Sequence, residues 1–272
     1  MKTLLRKPAD IEAARASAQR VCRVHEALVD FLRPGVTLPE VDAFVAKTLH
    51  SLQSTSAFLR YRAPGYPPFP SQSCLSLNDC VVHGTHIMTD APLVEGDVLS
   101  VDIGVMHQGW IGDAAWTYAL GSVSDEDLRL LQVGRASLKA GLDAIQPGRP
   151  LLDWARAVQK CVETEAGMSL VRGLGGHGYG QKLHGPPFIS NVVPTVPGEW
   201  PDAFETWRPG MLIAVEPMLN LGGHAVRGES GGWPILTKDG TRSAHYEADV
   251  LILEDGIDVL TADMFNLPDV VG

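Results

Sequence analysis

Cysteine is scarce in this chain, with 4 in 272 residues. Cys22, Cys74, Cys80 and Cys161 include no CxxC pair, which argues against paired-cysteine zinc and redox motifs and reads as reduced thiols. The opening MKTLLRKPAD lacks the apolar core of a signal peptide. No run approaches the ~20 apolar residues of a membrane span, so the expected setting is cytoplasmic, with no membrane partner. Basic runs are also missing and the net charge is −10, which argues against a DNA surface. Gly173–Gly178 reads GLGGHG and satisfies GxGxxG, yet a dinucleotide fingerprint needs a helix next. Here Pro186-Pro187 follow soon after and block one. His83 and His86 form HxxH without a matching Cys/His set, so no structural zinc site is expected. His25, His50, His86, His107 and His224 read as ordinary core or surface histidines. No Ser/Gly-rich linker divides the chain. Gln146–Pro150 is short enough to be a helix–helix turn, so residues 1–272 read as one domain.

What the sequence does contain is acid set into apolar strands. Val98–Met106 and Trp110–Tyr118 are two β-rich runs around a turn at His107-Gln108-Gly109. With His107 and Gln108 as a two-residue connection, Asp102 faces Asp113 on one side of an antiparallel hairpin. Directly opposed side chains lie about 4.5–5.5 Å apart at Cβ. Two carboxylates that close repel unless a cation lies between them, and a metal pair about 3.5–4 Å apart fits the gap. Three further clusters add ligands: His177 and His184 in GLGGHGYGQKLH, Glu216 ending PGMLIAVEPMLN, and Glu247 in SAHYEAD. A carboxylate in or beside a buried strand is costly unless paired or metal-bound. Two Asp, two Glu and one His suit paired Mn, Co, Fe or Zn ions.

The chain also repeats itself. PGVTLPEVDAFVAKTL (Pro34–Leu49) resembles PGRPLLDWARAVQKCV (Pro147–Val162), and GDVLSVD (Gly96–Asp102) resembles GMLIAVE (Gly210–Glu216), at nearly the same offset. An amphipathic helix precedes each copy of the first phrase. One runs over about Asp10–Leu32, with a stripe from Ile11 to Phe31. The other starts at a capping-box-like Ser124–Asp127. These matches predict two similar αβ halves, about 10–120 and 124–260, sharing one sheet and facing one site. The fold class is α+β, a curved, mostly antiparallel sheet with helices on one face. Ala63–Pro70 (APGYPPFP) reads as an ordered loop, and the tail after Leu260 as peripheral.

Taken together, Ser76–Gly84 (SLNDCVVHG), the Asp102/Asp113 hairpin, GHG with its following histidine, PGMLIAVEPM, and Gly232–Glu247 resemble the methionine aminopeptidases (type I) of the pita-bread metallopeptidase fold. The resemblance spans most of the chain, in the family's order. It implies that Asp102, Asp113, His177, Glu216 and Glu247 bind two divalent ions (Co, Mn, Fe or Zn) that activate water. It further implies that Glu216 shuttles the proton, that His184 stabilises the oxyanion, and that His83 contacts the peptide nitrogen. His83 and His184 are thus both catalytic and substrate-binding residues. The side-chain pocket would draw on Tyr66, Phe69, Cys74, Leu183 and Trp233. The implied partners are N-terminal Met peptides with a small second residue, nascent chains and a ribosome surface; a monomer is expected. Three departures bear on metal preference and substrate range. His184 is followed by Gly185-Pro186-Pro187 where the family has acids; His245 and Ala248 replace a Gln and a His; and the stretch ISNVVPTVPGEWPDAF is longer than usual.

Two rivals can be weighed. A proline-directed aminopeptidase or prolidase of the same fold would carry a sizeable extra N-terminal domain, whereas here the first repeat begins by Asp10. A non-catalytic binding protein of this shape would have lost ligands, and all five are present.

Overall fold

The computed structural model describes residues 4–228 and 231–272. Helix α1 (Pro8–Phe31) starts with proline at its first helical position, where the missing N–H costs nothing. It buries Ala14, Ala18, Val21, Val24 and Leu28 from the expected stripe. Helix α2 (Leu38–Ser51) has a full capping box, with Thr37 and Glu40 each closing on the other's backbone N–H. In the second half Ser124 caps α3 (Asp125–Ala144), accepting the Asp127 N–H. The Gln146–Pro150 turn leads into α4 (Leu152–Gln159), which runs on as a π-helical turn over Lys160–Glu165. Among the described residues no helix is long and apolar enough to cross a membrane.

The strands form a curved, mostly antiparallel surface that is hydrogen-bonded in sections rather than as the single expected sheet. One five-stranded section centres on the hairpin of Val98–His107 and Trp110–Leu120. Another contains Gly185–Ser190, Gly175–Gly178, Leu212–Val215, Ala248–Ile252 and Ile257–Val259, in that order. The two sections meet where the Glu247 N–H donates to the Ala115 carbonyl at 2.9 Å and the Asp113 N–H donates to the Asp249 carboxylate at 2.8 Å. The main core packs between helices and strands and includes Trp116, Trp154, Trp207 and Tyr246, all fully buried.

Two further expectations need correction. The hairpin pairs His107 with Trp110, so its two-residue turn is Gln108-Gly109, one position later than expected. Both turn residues have positive φ, 49° and 81°, the primed-turn geometry that matches strand twist and favours glycine at the second place. Asp102 therefore faces Ala115, and Asp113 faces Gly104. The register moves by two residues, an even step that preserves the face. The two carboxylates stay on one side of the sheet, as diagonal neighbours rather than a directly opposed pair.

The tail after Leu260 is not peripheral. Val270–Val271 adds a parallel strand to Ala119–Leu120, Met264, Leu267 and Val271 are buried, and Arg135 pairs with Asp269 at 2.9 Å. A two-residue strand and a single 3-10 turn over Ala262–Asn266 are too short to show periodicity in sequence.

Candidate metal centre

The four acid-bearing positions are brought together by two kinds of strand pairing. Asp102 and Asp113 come from the hairpin. Glu216 and Glu247 come from strands far apart in sequence: Val215 pairs with Ala248 and Met218 with His245 in one common register. Continuing that register through the gap sets Glu216 opposite Glu247, with the Tyr246 N–H donating to the Pro217 carbonyl between them. Pro217 has no N–H, so the ladder is interrupted where the two glutamates turn inward. Gly176 lets the histidine strand close on this pair. A Cβ there would lie 2.3 Å from the Ala214 carbonyl oxygen, so only glycine admits the approach that brings in His177.

The donor atoms form a ring. His177 Nε2 lies 3.9 Å from Asp113 Oδ2 and 3.7 Å from Glu216 Oε1. The other Glu216 oxygen, Oε2, lies 3.2 Å from His245 Nε2, which is in turn 3.9 Å from Glu247 Oε2. Two triads could each hold an ion: Asp113, His177 and Glu247, and Glu216, His245 and Glu247. Asp102 sits on the same wall, its carboxyl beside the Cys74 thiol.

The electrostatics favour cations. Burial pushes the Asp102 carboxyl up to about 7; His245 opposes this and Glu216 adds to it. Asp113 is raised well above the usual carboxylate range by burial, then by Asp102, Asp249 and Glu216. Burial and then Asp113 do the same to Glu247, and burial raises Glu216, with His245 opposing. Among the described residues the buried Oδ1 atoms of Asp102 and Asp113 have no hydrogen-bond partner, and the pocket wall carries no Lys or Arg. Buried polar atoms are ordinarily satisfied, so this set fits divalent metal. The imidazoles fit as well: burial holds His177 down to about 3 and His83 to about 4, leaving both neutral at pH 7 and free to offer a lone pair.

All twelve residues singled out from the sequence line one cavity of about 790 Å³. Its floor is the donor ring. His184 stands at the side, its ring centroid 4.4 Å from that of His177, and its Nδ1 is hydrogen-bonded to the Tyr61 hydroxyl at 2.7 Å. His83 is held in the left-handed region at φ 58° and meets Trp233 edge to face. Strain of this kind costs of order 1–3 kcal/mol and collects at functional sites. The Ala63–Pro70 loop forms the aromatic mouth. Trp233 donates its indole N–H to the Pro67 carbonyl at 2.9 Å and packs on Tyr66 and Phe69 at ring distances of 4.8 and 5.2 Å. Cys74 and Leu183 close the apolar side. The long stretch after His184 supplies another wall, where Asp202 accepts the Phe188 N–H at 3.2 Å.

Sequence reasoning missed three participants. Tyr61 reaches His184 across 123 positions, a contact without any local signal. His245 was noted only as a replacement. Asp249, fully buried, accepts the Asp113 N–H and so anchors a proposed ligand strand. An acid inside an apolar run was the available signal for it.

The description of metallopeptidase family M24 matches residues 12–254. Methionine aminopeptidase 1 of Bacillus subtilis is 35% identical over 258 residues, spanning 95% of this chain and 98% of that one. A crystal structure of a methionine aminopeptidase from Thermotoga maritima superposes with a TM-score of 0.85 at 33% identity, covering 96% of this chain and 99% of its own. An X-Pro aminopeptidase from Thermotoga maritima shares the fold at 19% identity and a TM-score of 0.73, with 63% of its length covered.

Proposed function

The chain belongs to metallopeptidase family M24, a family of hydrolases, and from that premise we propose that it removes N-terminal methionine from peptides and nascent chains. The observation that carries this reading is the ring of carboxylate and imidazole donors at the floor of an apolar, aromatic-mouthed pocket. Its fold is the pita-bread fold shared with its solved relatives. In our reading residues 1–272 act as one catalytic unit. Four free cysteines fit a reducing compartment, the cytoplasm.

Asp102, Asp113, His177, Glu216 and Glu247 are the residues that would hold two divalent ions, with Asp113 and Glu247 shared between them. Ions of the Co, Mn, Fe or Zn type held there would lower the pKa of water and would offer a free amino group a binding charge, which would restrict the activity to chain ends. Glu216 accepts the proton of the attacking water and passes it to the leaving amine; burial raises its basicity. His184 donates to the oxyanion that develops at the first peptide carbonyl, and the Tyr61 hydroxyl at its other nitrogen fixes the ring. His83 contacts the peptide nitrogen.

Tyr66, Phe69, Cys74, Leu183 and Trp233 would receive the methionine side chain. Burying it is worth about 1.5–3 kcal/mol, and the soft lining suits a thioether. Discrimination against leucine is much smaller, because the volumes match. The second residue lies between the histidines and the ring, where space favours Ala, Gly or Ser. Hydrolysis of Met-Ala, Met-Leu and Ala-Pro peptides with Mn, Co, Fe or Zn added tests the proposal. Fast release of Met from Met-Ala is expected, and faster cleavage of Ala-Pro than of Met-Ala would overturn it in favour of the proline-directed rival.

A further inference from the structure

His245 stands where the resemblance leads one to expect a glutamine, and its position gives it a role of its own. It is 2% exposed and its backbone is locked. Its N–H is shared by Ser100 and Thr117 hydroxyls at 3.2 and 3.0 Å, and its carbonyl accepts the Thr117 hydroxyl at 2.8 Å. These bonds aim the ring at the acids. His245 Nε2 lies 3.2 Å from Glu216 Oε2 and 3.9 Å from Glu247 Oε2. Two donors bound to one ion at about 2.1 Å, with angles of about 90–110°, sit roughly 3.0–3.4 Å apart. The His245–Glu216 spacing is therefore that of two ligands on one ion. The arrangement also mirrors the other triad: Glu216 lies between two imidazoles, one per oxygen, and each triad ends on Glu247.

We propose that His245 is a sixth protein ligand of this centre, giving each of the two ions one imidazole nitrogen. The inference rests on the two-ion reading above and extends it. A glutamine at this place would offer an amide oxygen or N–H. An imidazole instead adds a borderline-soft nitrogen, which moves preference toward Zn, Co and Fe and away from Mn. The alternative is that His245 only donates a hydrogen bond to Glu216 and stays off the metal.

X-ray absorption on the wild-type chain loaded with two equivalents of Zn decides between these without a substitution. Two imidazoles per ion pair support the proposal, and one overturns it. Metal titration against a chromophoric chelator, together with the visible spectrum of the Co(II)-loaded protein, then compares wild type with His245→Gln. The variant is expected to bind the second ion at least ten-fold more weakly, since loss of even an outer partner of a ligand costs roughly 10–100-fold, and to shift the Co(II) bands. Unchanged affinity with unchanged bands overturns the assignment. If wild type itself holds no ion pair, the failure lies with the two-ion reading; if it holds two and the variant is indistinguishable, the failure is that of His245 alone.

Discussion

The two acid pairs reach the same pocket by opposite routes. Asp102 and Asp113 are separated by one tight turn, and they end as diagonal neighbours because Gln108-Gly109 takes the left-handed positions. Glu216 and Glu247 come from strands with a long connection between them, yet they are directly opposed, with a proline breaking the ladder beside them. Their surroundings differ too. Glu216 has an imidazole at each oxygen, whereas Asp102 and Asp113 each keep a buried oxygen without a partner. A turn can set register within a hairpin, but only packing can deliver counter-groups. Of the two pairs, the hairpin acids are thus the less compensated.

The largest effect should come from cutting both pairs at their shared members. Asp113→Ala and Glu247→Ala should each lower kcat/KM by roughly 10³-fold or more, by loss of a shared ligand, with metal content falling in parallel. Turnover near wild type in either variant would break the idea that one residue from each pair is common to both ions.

The next test separates the two adjacent histidines. His184→Ala should lower kcat by about 10²–10³, as for loss of one oxyanion donor, with metal content intact. His177→Ala should lose metal instead. Equal metal content in the two variants would sever His177 from the acids.

A third test isolates the unpartnered hairpin carboxyls. In metal-free protein burial raises Asp102 from its ordinary value to about 7. Between about pH 4 and pH 7 the fold then holds a proton that the unfolded chain has released, so this group lowers stability as pH rises. Asp102→Asn should remove that slope, about 1.4 kcal/mol per pH unit. Thermal unfolding from pH 4 to 8 in the presence of a chelator measures it. The metal-free variant should be the more stable protein at pH 8, and a variant with an unchanged slope would mean that Asp102 is not the group responsible.

The smallest effect concerns the turn. Gly109 has φ 81° and open space around its Cα, so Gly109→Ala meets only the backbone penalty of about 1–2 kcal/mol. The expected fall in melting temperature is roughly 2–8 °C. No change would indicate that the hairpin register does not rest on this turn.

Legibility followed the range of the interaction. The acid-ended strands, both long helices, the Ser124 cap of the second, and the histidines of GLGGHGYGQKLH could be read because apolar periodicity and capping are local. The hairpin register was misread by two positions, since the competing turn placements differ by a small backbone preference that glycine decides. The tail was undervalued because two-residue strands carry no period. Tyr61 beside His184 had no local signal, and Asp249 beneath Asp113 offered only that of an acid inside an apolar run.

Chain chemistry alone determined which groups this protein can bring to a reaction: carboxylates set into apolar strands, histidines, and aromatic residues in a proline-rich loop. Those follow from side-chain type and short-range pattern. Tertiary structure decided which of them meet. It set Glu216 against Glu247, turned His245 onto their oxygens and fixed His184 with Tyr61. These contacts join strands and loops far apart in sequence, and their geometry is set by the packing of the whole core, which no local preference encodes.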